Sequence, residues 1–523
     1  MEPDRRIRRI AIVGGGVAGW VSAVSLARRL GSHCSIHVVE TPEPASTGRA
    51  EATLPHVLEL LRFLGVDQND FIDKTQATYS LGARFTDWAA PGESFWRPFG
   101  GFGALIERRP FHHFWHKART QGLKPRAEFF SHEIAMALAN RFIFPTNSLG
   151  VAQNLRYALH VDAALLARYL RTLAERAGVI RLERKLTDAT LRENGFIEEL
   201  QFEDGGKLRA DLFIDCTGAR AELIGKKLGS RYEDWRKWLP CDRIVSIAGA
   251  AEAVRPPYVR ISARGAGWQW RTSLQQNTSH GQVYASSHQS DEEATSELRA
   301  VAGDALLGEP RVEKIAPGLR RKLWDKNVVA IGAAAGALDP VVPADLHIIT
   351  NSVFSLLDHF PDSQFDPANI ASYNAGLGAD YELIRDFIVL HYVTSRRDDS
   401  PFWKQCAAIT PPDVVQQRIE MYRATGRIMQ ERPELFGDLD WFWVLDGSGI
   451  VPRDYDPLVD TVDFEQVKRL MLAISQKVSA DVGAAPSHDS FFAAANARLG
   501  QARKAAAATA PAPNPPAQSP PAN

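Results

Sequence analysis

Three glycines near the beginning of the chain have the spacing of a nucleotide-binding motif. Gly14, Gly16 and Gly19 form the pattern G-x-G-x-x-G. In this pattern the first glycine permits a tight turn, the second lets the backbone approach a pyrophosphate, and the third allows a helix to pack closely on a strand. Glu40, further along the chain, supplies a carboxylate that can accept hydrogen bonds from a ribose diol. Together these residues predict a dinucleotide cofactor, and the motif alone fits NAD as well as FAD.

The elements around the motif must form a β-α-β unit for this prediction to hold. Arg9–Val13 has the pattern of a short apolar strand, Trp20–Leu30 that of an amphipathic helix, and Ser35–Glu40 that of a second strand. Ala210–Cys216 and Asn327–Ile331 are further apolar strand patterns. We therefore expect a nucleotide-binding module that is assembled from segments distant in the sequence.

The composition is that of an ordinary globular protein. The 523 residues are 45% hydrophobic and 24% charged, with a formal net charge of -1. This balance gives no electrostatic reason to expect a nucleic acid or an anionic membrane as partner. The four cysteines form no C-x-x-C pair, so neither a disulfide framework nor a metal site is predicted. No apolar run has the length of a signal-peptide core or a membrane span. We expect a cytoplasmic protein with a disordered tail rich in Ala and Pro at residues 501–523.

Several longer motifs resemble the flavin-dependent tryptophan halogenases, over the range from Arg9 to about Asp454. They are the glycine motif with the tryptophan that follows it, an E-A-T segment, a W-x-W pair, the strand after that pair, and a long charged segment. These motifs are Gly14–Trp20, Glu51–Thr53, Gly267–Trp270, Tyr284–Ser286 and His391–Trp403. The resemblance implies an α/β fold, with a Rossmann-like FAD-binding module of the aromatic-monooxygenase type that contains a mixed β-sheet, and a largely helical substrate module.

The same resemblance implies a division of the chain and a set of ligands. The FAD-binding module would comprise residues 1–90 and 155–400, and the substrate module residues 91–154 and 401–500. FAD would be reduced by a partner flavin reductase or by NAD(P)H. The substrate would be an aromatic small molecule or an aromatic residue of a peptide, and a homodimer is left open. The residues expected to contact FAD are Gly14, Gly16, Val17, Ala18, Gly19, Glu40, Ala52, Thr53, Gly218, Gly332 and Leu346.

Residues that the family uses for halogenation are replaced in this chain. Ser80 takes the place of the lysine that captures hypohalous acid in the family segment T-F-K-L-G, and a serine hydroxyl carries no charge near neutral pH. Val342 replaces the second glutamate of the family segment E-P-L-E-S-T-G, and Asp345 stands where that segment ends in glycine. At an effective dielectric constant near 20, the Asp345 carboxylate and a halide ion about 4 Å apart would repel each other by roughly 4 kcal/mol. Thr272–Ser273 replaces the Ile-Pro of the family signature W-x-W-x-I-P. We therefore expect halide to bind poorly.

These replacements favour a monooxygenase that hydroxylates an electron-rich ring of the indole, pyrrole or phenol type through a flavin C4a-hydroperoxide. Such a reaction benefits from a base that removes the proton of the substrate's N–H or O–H group. Asp345 is the first candidate and His347 the second, while Ser80 and Val342 mark the positions of the family's catalytic pair. The aromatic residues expected to face the substrate, which core packing explains equally well, are His112, His113, Trp268, Trp270, Trp441 and Trp443.

Two alternative functions stay open at this point. A halogenase with relocated catalytic residues would need a lysine such as Lys74 at the cavity, together with an unobstructed halide site. A non-catalytic or oxidase flavoprotein would bind FAD without forming a product. The positions of the lysine side chains separate the halogenase from the other two functions.

Overall fold

The computed structural model describes residues 5–41, 49–145, 155–303 and 305–492, so the tail predicted at residues 501–523 lies outside the described residues. Within these ranges the chain forms 22 β-strands and 13 α-helices. The strands are β1 (Arg9–Val13), β2 (Ser35–Glu40), β3 (Ala50–Ala52), β4 (Thr78–Ser80), β5 (Gly82–Thr86), β6 (Ser94–Pro98), β7 (Ala158–Asp162), β8 (Ile180–Glu183), β9 (Leu186–Leu191), β10 (Ile197–Phe202), β11 (Lys207–Arg209), β12 (Leu212–Asp215), β13 (Tyr232–Asp234), β14 (Arg243–Ala250), β15 (Val259–Arg264), β16 (Gly267–Ser273), β17 (Asn277–Tyr284), β18 (Leu306–Lys314), β19 (Gly318–Arg320), β20 (Trp324–Asp325), β21 (Val328–Ala330) and β22 (Gly336–Ala337). The helices are α1 (Val17–Leu30), α2 (Val57–Leu64), α3 (Gln68–Thr75), α4 (Phe111–Thr120), α5 (His132–Leu138), α6 (Ala163–Arg176), α7 (Asp291–Ala302), α8 (Asp345–Asp358), α9 (Pro367–Val393), α10 (Pro401–Ala407), α11 (Asp413–Thr425), α12 (Asp438–Gly447) and α13 (Phe464–Ala484).

A six-stranded sheet carries the glycine motif, and its strand order is β20-β21-β12-β1-β2-β8. The strands from β21 to β8 are parallel, whereas β20 pairs antiparallel at the edge. Parallel strands are covered on both faces, which explains why Ile10–Val13 is an uninterrupted buried run. Helix α1 packs against both β1 and β2 and also contacts α6 and α8. The carboxyl ends of β1, β2 and β12 therefore open towards the beginning of α1.

A second, seven-stranded sheet has the order β18-β14-β17-β16-β15-β5-β6. Its neighbouring strands are antiparallel except β5 and β15, which run parallel. A small sheet in the order β3-β7-β4 lies close to it, because β4 leads directly into β5 and β3 contacts β16. In the small sheet, Ala52 and Thr78 pair with the same residue of β7, His160. This arrangement brings two segments that the sequence analysis singled out, Glu51–Thr53 and the strand that ends at Ser80, onto the two sides of β7.

Aromatic packing holds the helical part of the chain together. Phe102 stacks on Phe442 of α12 with 5.1 Å between the ring centroids, and Trp443 lies 4.8 Å from the same ring. Trp115 and Phe111 of α4 join this cluster from the other side. Buried aromatic rings contribute a large apolar area, so the cluster fixes α4 against α12.

Helix α9 is 27 residues long and contacts both regions of the fold. In its N-terminal half, the Asn374 side chain accepts hydrogen bonds from the backbone N–H groups of Leu323 and Trp324, each at 2.8 Å. Near its C-terminal end, the carbonyl oxygen of His391 accepts a hydrogen bond of 2.8 Å from the indole N–H of Trp88. One helix therefore connects the strands of the nucleotide-binding sheet with the residues around the inner cavity described below.

The predicted elements agree with the structure in type, and the boundaries differ where caps decide them. β1 and β2 have the predicted bounds, but α1 begins at Val17, three residues earlier than predicted, because Gly16 is its extended N-cap residue. The strand predicted at Ala210–Cys216 is shorter, Leu212–Asp215. The predicted α/β class with a mixed sheet is confirmed. No helix in the described ranges is both long and apolar enough to cross a membrane.

Candidate cofactor and reaction site

An open cleft lies over the carboxyl ends of β1, β2 and β12, with a volume of about 2250 Å³ when the solvent space at its mouth is included, and we call it the nucleotide cavity. Gly14 has φ +118°, and a Cβ atom there would lie 2.2 Å from the carbonyl oxygen of Cys216. A Cβ atom on Gly19 would lie 1.8 Å from the carbonyl oxygen of Gly14. A Cβ atom on Gly16 would meet no atom of the described residues within 4 Å, because this position faces open space at the start of α1. Two glycines thus permit close backbone packing, and the third leaves room for a phosphate at a helix N-terminus.

Glu40 ends β2 and lines the nucleotide cavity, where its carboxylate accepts a hydrogen bond from the Nε–H of Arg181. The predicted ribose contact of Glu40 stays a prediction. Gly332, another predicted contact, has φ +70°, and a Cβ atom there would lie 2.9 Å from the Cβ of Ala18. The segment after β21 therefore packs directly on α1.

Asp215, at the end of β12, organises the edge of the nucleotide cavity near Gly218, and the sequence analysis gave it no role. One carboxylate oxygen accepts hydrogen bonds from the backbone N–H (3.0 Å) and the hydroxyl (2.6 Å) of Thr217. The other accepts the N–H groups of Leu223 and Ile224, each at 2.8 Å, at the start of a short π-helix. Asp215 is fully buried, so its four bonds replace the hydration that it loses.

A second cavity, the inner cavity, lies between the small sheet, the seven-stranded sheet and the segment that precedes α8, and it measures about 770 Å³ when the solvent space at its mouth is included. Its wall is mostly apolar, with a few polar groups that converge on it, which is the usual make-up of a ligand site. The predicted site residues that line the inner cavity are Ala52, Thr53, Ser80, Trp268, Trp270, Val342 and Asp345. The structure therefore brings together seven residues that the sequence distributes over almost 300 positions.

Two acidic side chains and one arginine form a charged group at the inner cavity. Burial and the neighbouring Asp345 carboxylate raise the pKa of Glu51 to about 7, against the opposing effect of Arg49. Burial raises the pKa of Asp345 as well, and Arg49 again opposes the rise. Arg49 pairs with Glu313 at 2.7 Å and lines both the inner and the nucleotide cavities. The carboxyl pair consequently lies where the two cavities meet.

Arg97 of β6 is a second cation at the inner cavity, and the sequence analysis did not identify it. Its side chain is 3% exposed, and burial lowers its pKa to about 10, with Asp440 opposing the shift. Its Nη1 lies 3.4 Å from Nε2 of His391, and its Nη2 donates to the carbonyl oxygen of Val341 at 3.3 Å. A single arginine in a strand pattern does not indicate from the sequence that its charge is buried at a cavity.

The segment before α8 is held in place by a buried carboxylate. Asp339 accepts hydrogen bonds from the hydroxyl of Tyr392 at 2.6 Å and from the backbone N–H of Val341 at 3.0 Å. Burial raises the pKa of Asp339 to about 6. Because these bonds fix the backbone at Val341, they also fix the positions of Val342 and Asp345, which follow.

Several predicted site residues lie elsewhere. His347 and Leu346 face away from the inner cavity, and the His347 ring packs edge-on against His56 with 4.7 Å between centroids. Burial, with a contribution from His56, lowers the pKa of His347 to about 3, so that imidazole is neutral at pH 7. Lys74 is in the last turn of α3 and does not line the inner cavity.

The four aromatic residues predicted on α4 and α12 form part of the helical core. His112 packs on Phe442 at 5.2 Å and lies 3.2 Å from the carbonyl oxygen of Gly426. Burial lowers the pKa of His112 to about 3 and that of His113 to about 4. Like these two histidines, Trp441 and Trp443 are buried without lining the inner cavity. Within the described ranges, no group of three or more His, Cys, Asp or Glu side chains is arranged to hold a metal ion.

Comparison with known proteins gives consistent results. The family model "Tryptophan halogenase" matches residues 9–464. Tryptophan 7-halogenase KtzQ from Kutzneria sp. (strain 744) is 29% identical, over 93% of this chain and 98% of its own. The solved structure of BrvH, a flavin-dependent halogenase from Brevundimonas sp. BAL3, superimposes with a TM-score of 0.90 at 35% identity, covering 94% of this chain and 100% of that one. Xcc4156, a flavin-dependent halogenase from Xanthomonas campestris, gives 0.90 at 35% identity, covering 93% and 98%.

Proposed function

Because the chain belongs to the tryptophan halogenase family, we propose that it oxidises an electron-rich aromatic substrate in the inner cavity. Because the family's halogenation residues are replaced at that cavity, we propose that it adds a hydroxyl group rather than a halogen. Family membership confirms the prediction that FAD is the cofactor and supports an enzyme. The observation that carries the proposal is the set of side chains around the inner cavity. Ser80 and Val342 line it, and no lysine in the described part of the chain does.

The nucleotide cavity has the features that FAD requires. The open space at Gly16 fits a pyrophosphate, and Glu40 lies at the end of β2, where a ribose hydroxyl would bind. Arg49 lines both cavities and provides a cation at their junction. When bound and reduced, FAD supplies with dioxygen the electrophilic oxygen atom that the reaction needs. We propose that a separate flavin reductase delivers the reduced form.

We assign the role of base to Asp345. A base works best when its pKa is close to the working pH, and burial moves the pKa of Asp345 upwards towards that range. Asp345 takes the proton from the N–H or O–H group of the substrate while the ring reacts. Glu51 provides a second carboxyl group that can share this proton, since its pKa is about 7. The indoles of Trp268 and Trp270 form part of the wall that excludes water.

The experiment is a product analysis with and without halide. The purified protein is incubated with FAD, a flavin reductase, NADH, sodium bromide and a panel of indole and tryptophan derivatives, and product masses are measured against reactions that lack bromide or reductase. Labelled dioxygen identifies the source of any added oxygen. We expect one labelled oxygen atom per product in both the presence and the absence of bromide. A brominated product would contradict the proposal.

Halogenation is the second candidate, and the comparisons favour it. Two solved structures described as flavin-dependent halogenases are 35% identical to this chain over more than nine tenths of its length. Arg97 could then supply the positive charge that Ser80 lacks, because it is a buried cation at the same cavity. In the experiment above, a brominated product that forms with the wild type and not with Arg97→Gln would establish this function.

A further inference from the structure

Arg97 differs from the other buried arginines of the described chain because no carboxylate contacts it directly. Arg385, Arg397 and Arg418 are 7–8% exposed, and each forms an ion pair with a carboxylate. Arg97 is 3% exposed, and no described carboxylate lies within ion-pair distance of it. Only the buried carboxyl group of Asp440, whose pKa burial raises to about 6, acts on Arg97 from beyond that distance. A buried charge is costly unless it is paired and hydrogen-bonded. An anion at the inner cavity would supply the missing partner.

The immediate neighbours of Arg97 are neutral. Nδ1 of His391 lies 2.8 Å from the carbonyl oxygen of Phe387, so Nδ1 carries the hydrogen and Nε2 offers a lone pair to Arg97. Burial, together with Arg97 itself, holds the pKa of His391 well below its usual range, so the ring stays uncharged. The guanidinium carbon lies 5.5 Å from the ring centroid of Phe85 and 5.8 Å from that of Phe387. These contacts orient the guanidinium but do not neutralise its charge.

The guanidinium also has donors to spare. An arginine side chain has five N–H groups. Contacts with described residues occupy one on Nη1 and one on Nη2, and both are long, at 3.4 and 3.3 Å. The remaining N–H groups have no hydrogen-bond partner among the described residues, and Arg97 lines the inner cavity together with apolar residues such as Phe99, Val259 and Ile261. A planar fork of donors in such a wall matches the two oxygen atoms of a carboxylate.

We propose that Arg97 selects the substrate by binding a carboxylate group of it through two parallel N–H···O hydrogen bonds. That this ligand is the substrate rests on the proposed function, whereas the binding of an aromatic acid at Arg97 does not. The ligand class is an aromatic ring that carries a carboxylate close enough for the ring to remain inside the inner cavity. The matching amide presents one donor group in place of an acceptor oxygen, and it should bind less well.

The test measures binding without turnover. Isothermal titration of the FAD-loaded protein compares indole-3-acetate with indole-3-acetamide, and phenylacetate with phenylacetamide. We expect each acid to bind at least about tenfold more tightly than its amide, as charge-assisted hydrogen bonds allow. In Arg97→Gln the preference should disappear, and in Arg97→Lys it should fall to an intermediate value. Arg84→Gln, on the neighbouring strand β5 and outside the cavity lining, is the control and should behave like wild type.

Several outcomes would contradict the proposal. Equal affinities of acid and amide for the wild type, no binding of either acid, or a preference that persists in Arg97→Gln would all do so. If Arg97→Gln does not fold, the wild-type comparison and Arg97→Lys still decide. Sodium bromide titrated in place of the acids separates the sources of the anion, and binding of bromide alone would mean a halide site. Acid binding that depends on Arg97, without any oxygenated product, would contradict the proposed function and leave this inference intact.

Discussion

At the scale of single residues, the charged group at the junction of the two cavities can exchange a proton. Glu51 and Asp345 are two acidic groups that share one nearby cation, Arg49. Arg49 also pairs with Glu313, so its charge only partly compensates the two carboxyl groups. Like charges that are buried together do not ionise independently, so at least one of the two carboxyl groups holds its proton to unusually high pH. A proton can therefore be taken up or released there near neutral pH.

Asp345→Asn should lower kcat/KM for the oxygenated product by about 100-fold or more, because an amide cannot accept the substrate proton. In the wild type, kcat/KM should rise with pH through the raised pKa of Asp345, and this rise should be absent from the variant. Product formation is measured as a function of pH for both proteins. Asp358→Asn, at the exposed C-terminal end of the same helix, is the control and should retain the wild-type profile. An unchanged profile in Asp345→Asn would remove Asp345 from the mechanism.

The same substitution should change the dependence of stability on pH. Burial raises the pKa of Asp345 above its value in the unfolded chain, so the folded protein binds more protons between the two values. Stability from this group is therefore fully present below the unfolded pKa of about 3.9 and is lost as pH rises through the higher folded value. Asp345→Asn should show a smaller loss over this window, measured as the unfolding midpoint in urea.

Some residues of the candidate site were named from the sequence, and their roles stay predictions; others gave no signal there. Ser80, Val342 and Asp345 were found because they replace residues at fixed places of family motifs, and the structure places all three at one cavity. Arg97 and Asp215 lie in ordinary strand patterns, and only the burial of their charges reveals them. Burial depends on contacts between residues far apart in the chain, which local patterns do not contain.

At the scale of elements, the turn between β1 and α1 makes different demands on its glycines. Gly19→Ala should strongly destabilise the protein, because the new Cβ would lie 1.8 Å from a backbone oxygen of Gly14 that cannot move aside. Gly16→Ala should fold normally and bind FAD more weakly, because its Cβ meets no protein atom but enters the space expected for the pyrophosphate. Thermal unfolding and titration with FAD measure the two effects. Equal loss of stability in both variants would contradict this division of roles.

Elements were predicted well where a local pattern is sufficient. The strands β1 and β2 follow from short apolar runs. The beginning of α1 was predicted three residues too late, because its N-cap residue is a glycine, which has no side chain that indicates a helix start. The pairing of β5 with β15 joins residues more than 170 positions apart, and no pattern within either strand specifies it. The predicted division of the chain into two modules stays a prediction.

At the scale of the whole molecule, FAD should stabilise the fold. A ligand that binds only the folded state, at a concentration of about 100 times its Kd, raises the free energy of unfolding by about 2.7 kcal/mol. The wild-type melting temperature should therefore increase with FAD concentration, and the increase should be smaller in Gly16→Ala at the same concentrations. Differential scanning calorimetry measures both. A melting temperature independent of FAD would contradict cofactor binding to the folded protein.

Helix α9 has a mechanical consequence for the way in which ligands reach the interior. Its 27 residues correspond to a length of about 40 Å. Asn374 anchors it to the strands beside the nucleotide cavity, and His391 and Tyr392 anchor it beside the inner cavity. A continuous helix that is anchored at both places resists a hinge motion that would separate the nucleotide cavity from the inner cavity. We therefore expect the spacing between the nucleotide cavity and the inner cavity to stay constant when ligands bind.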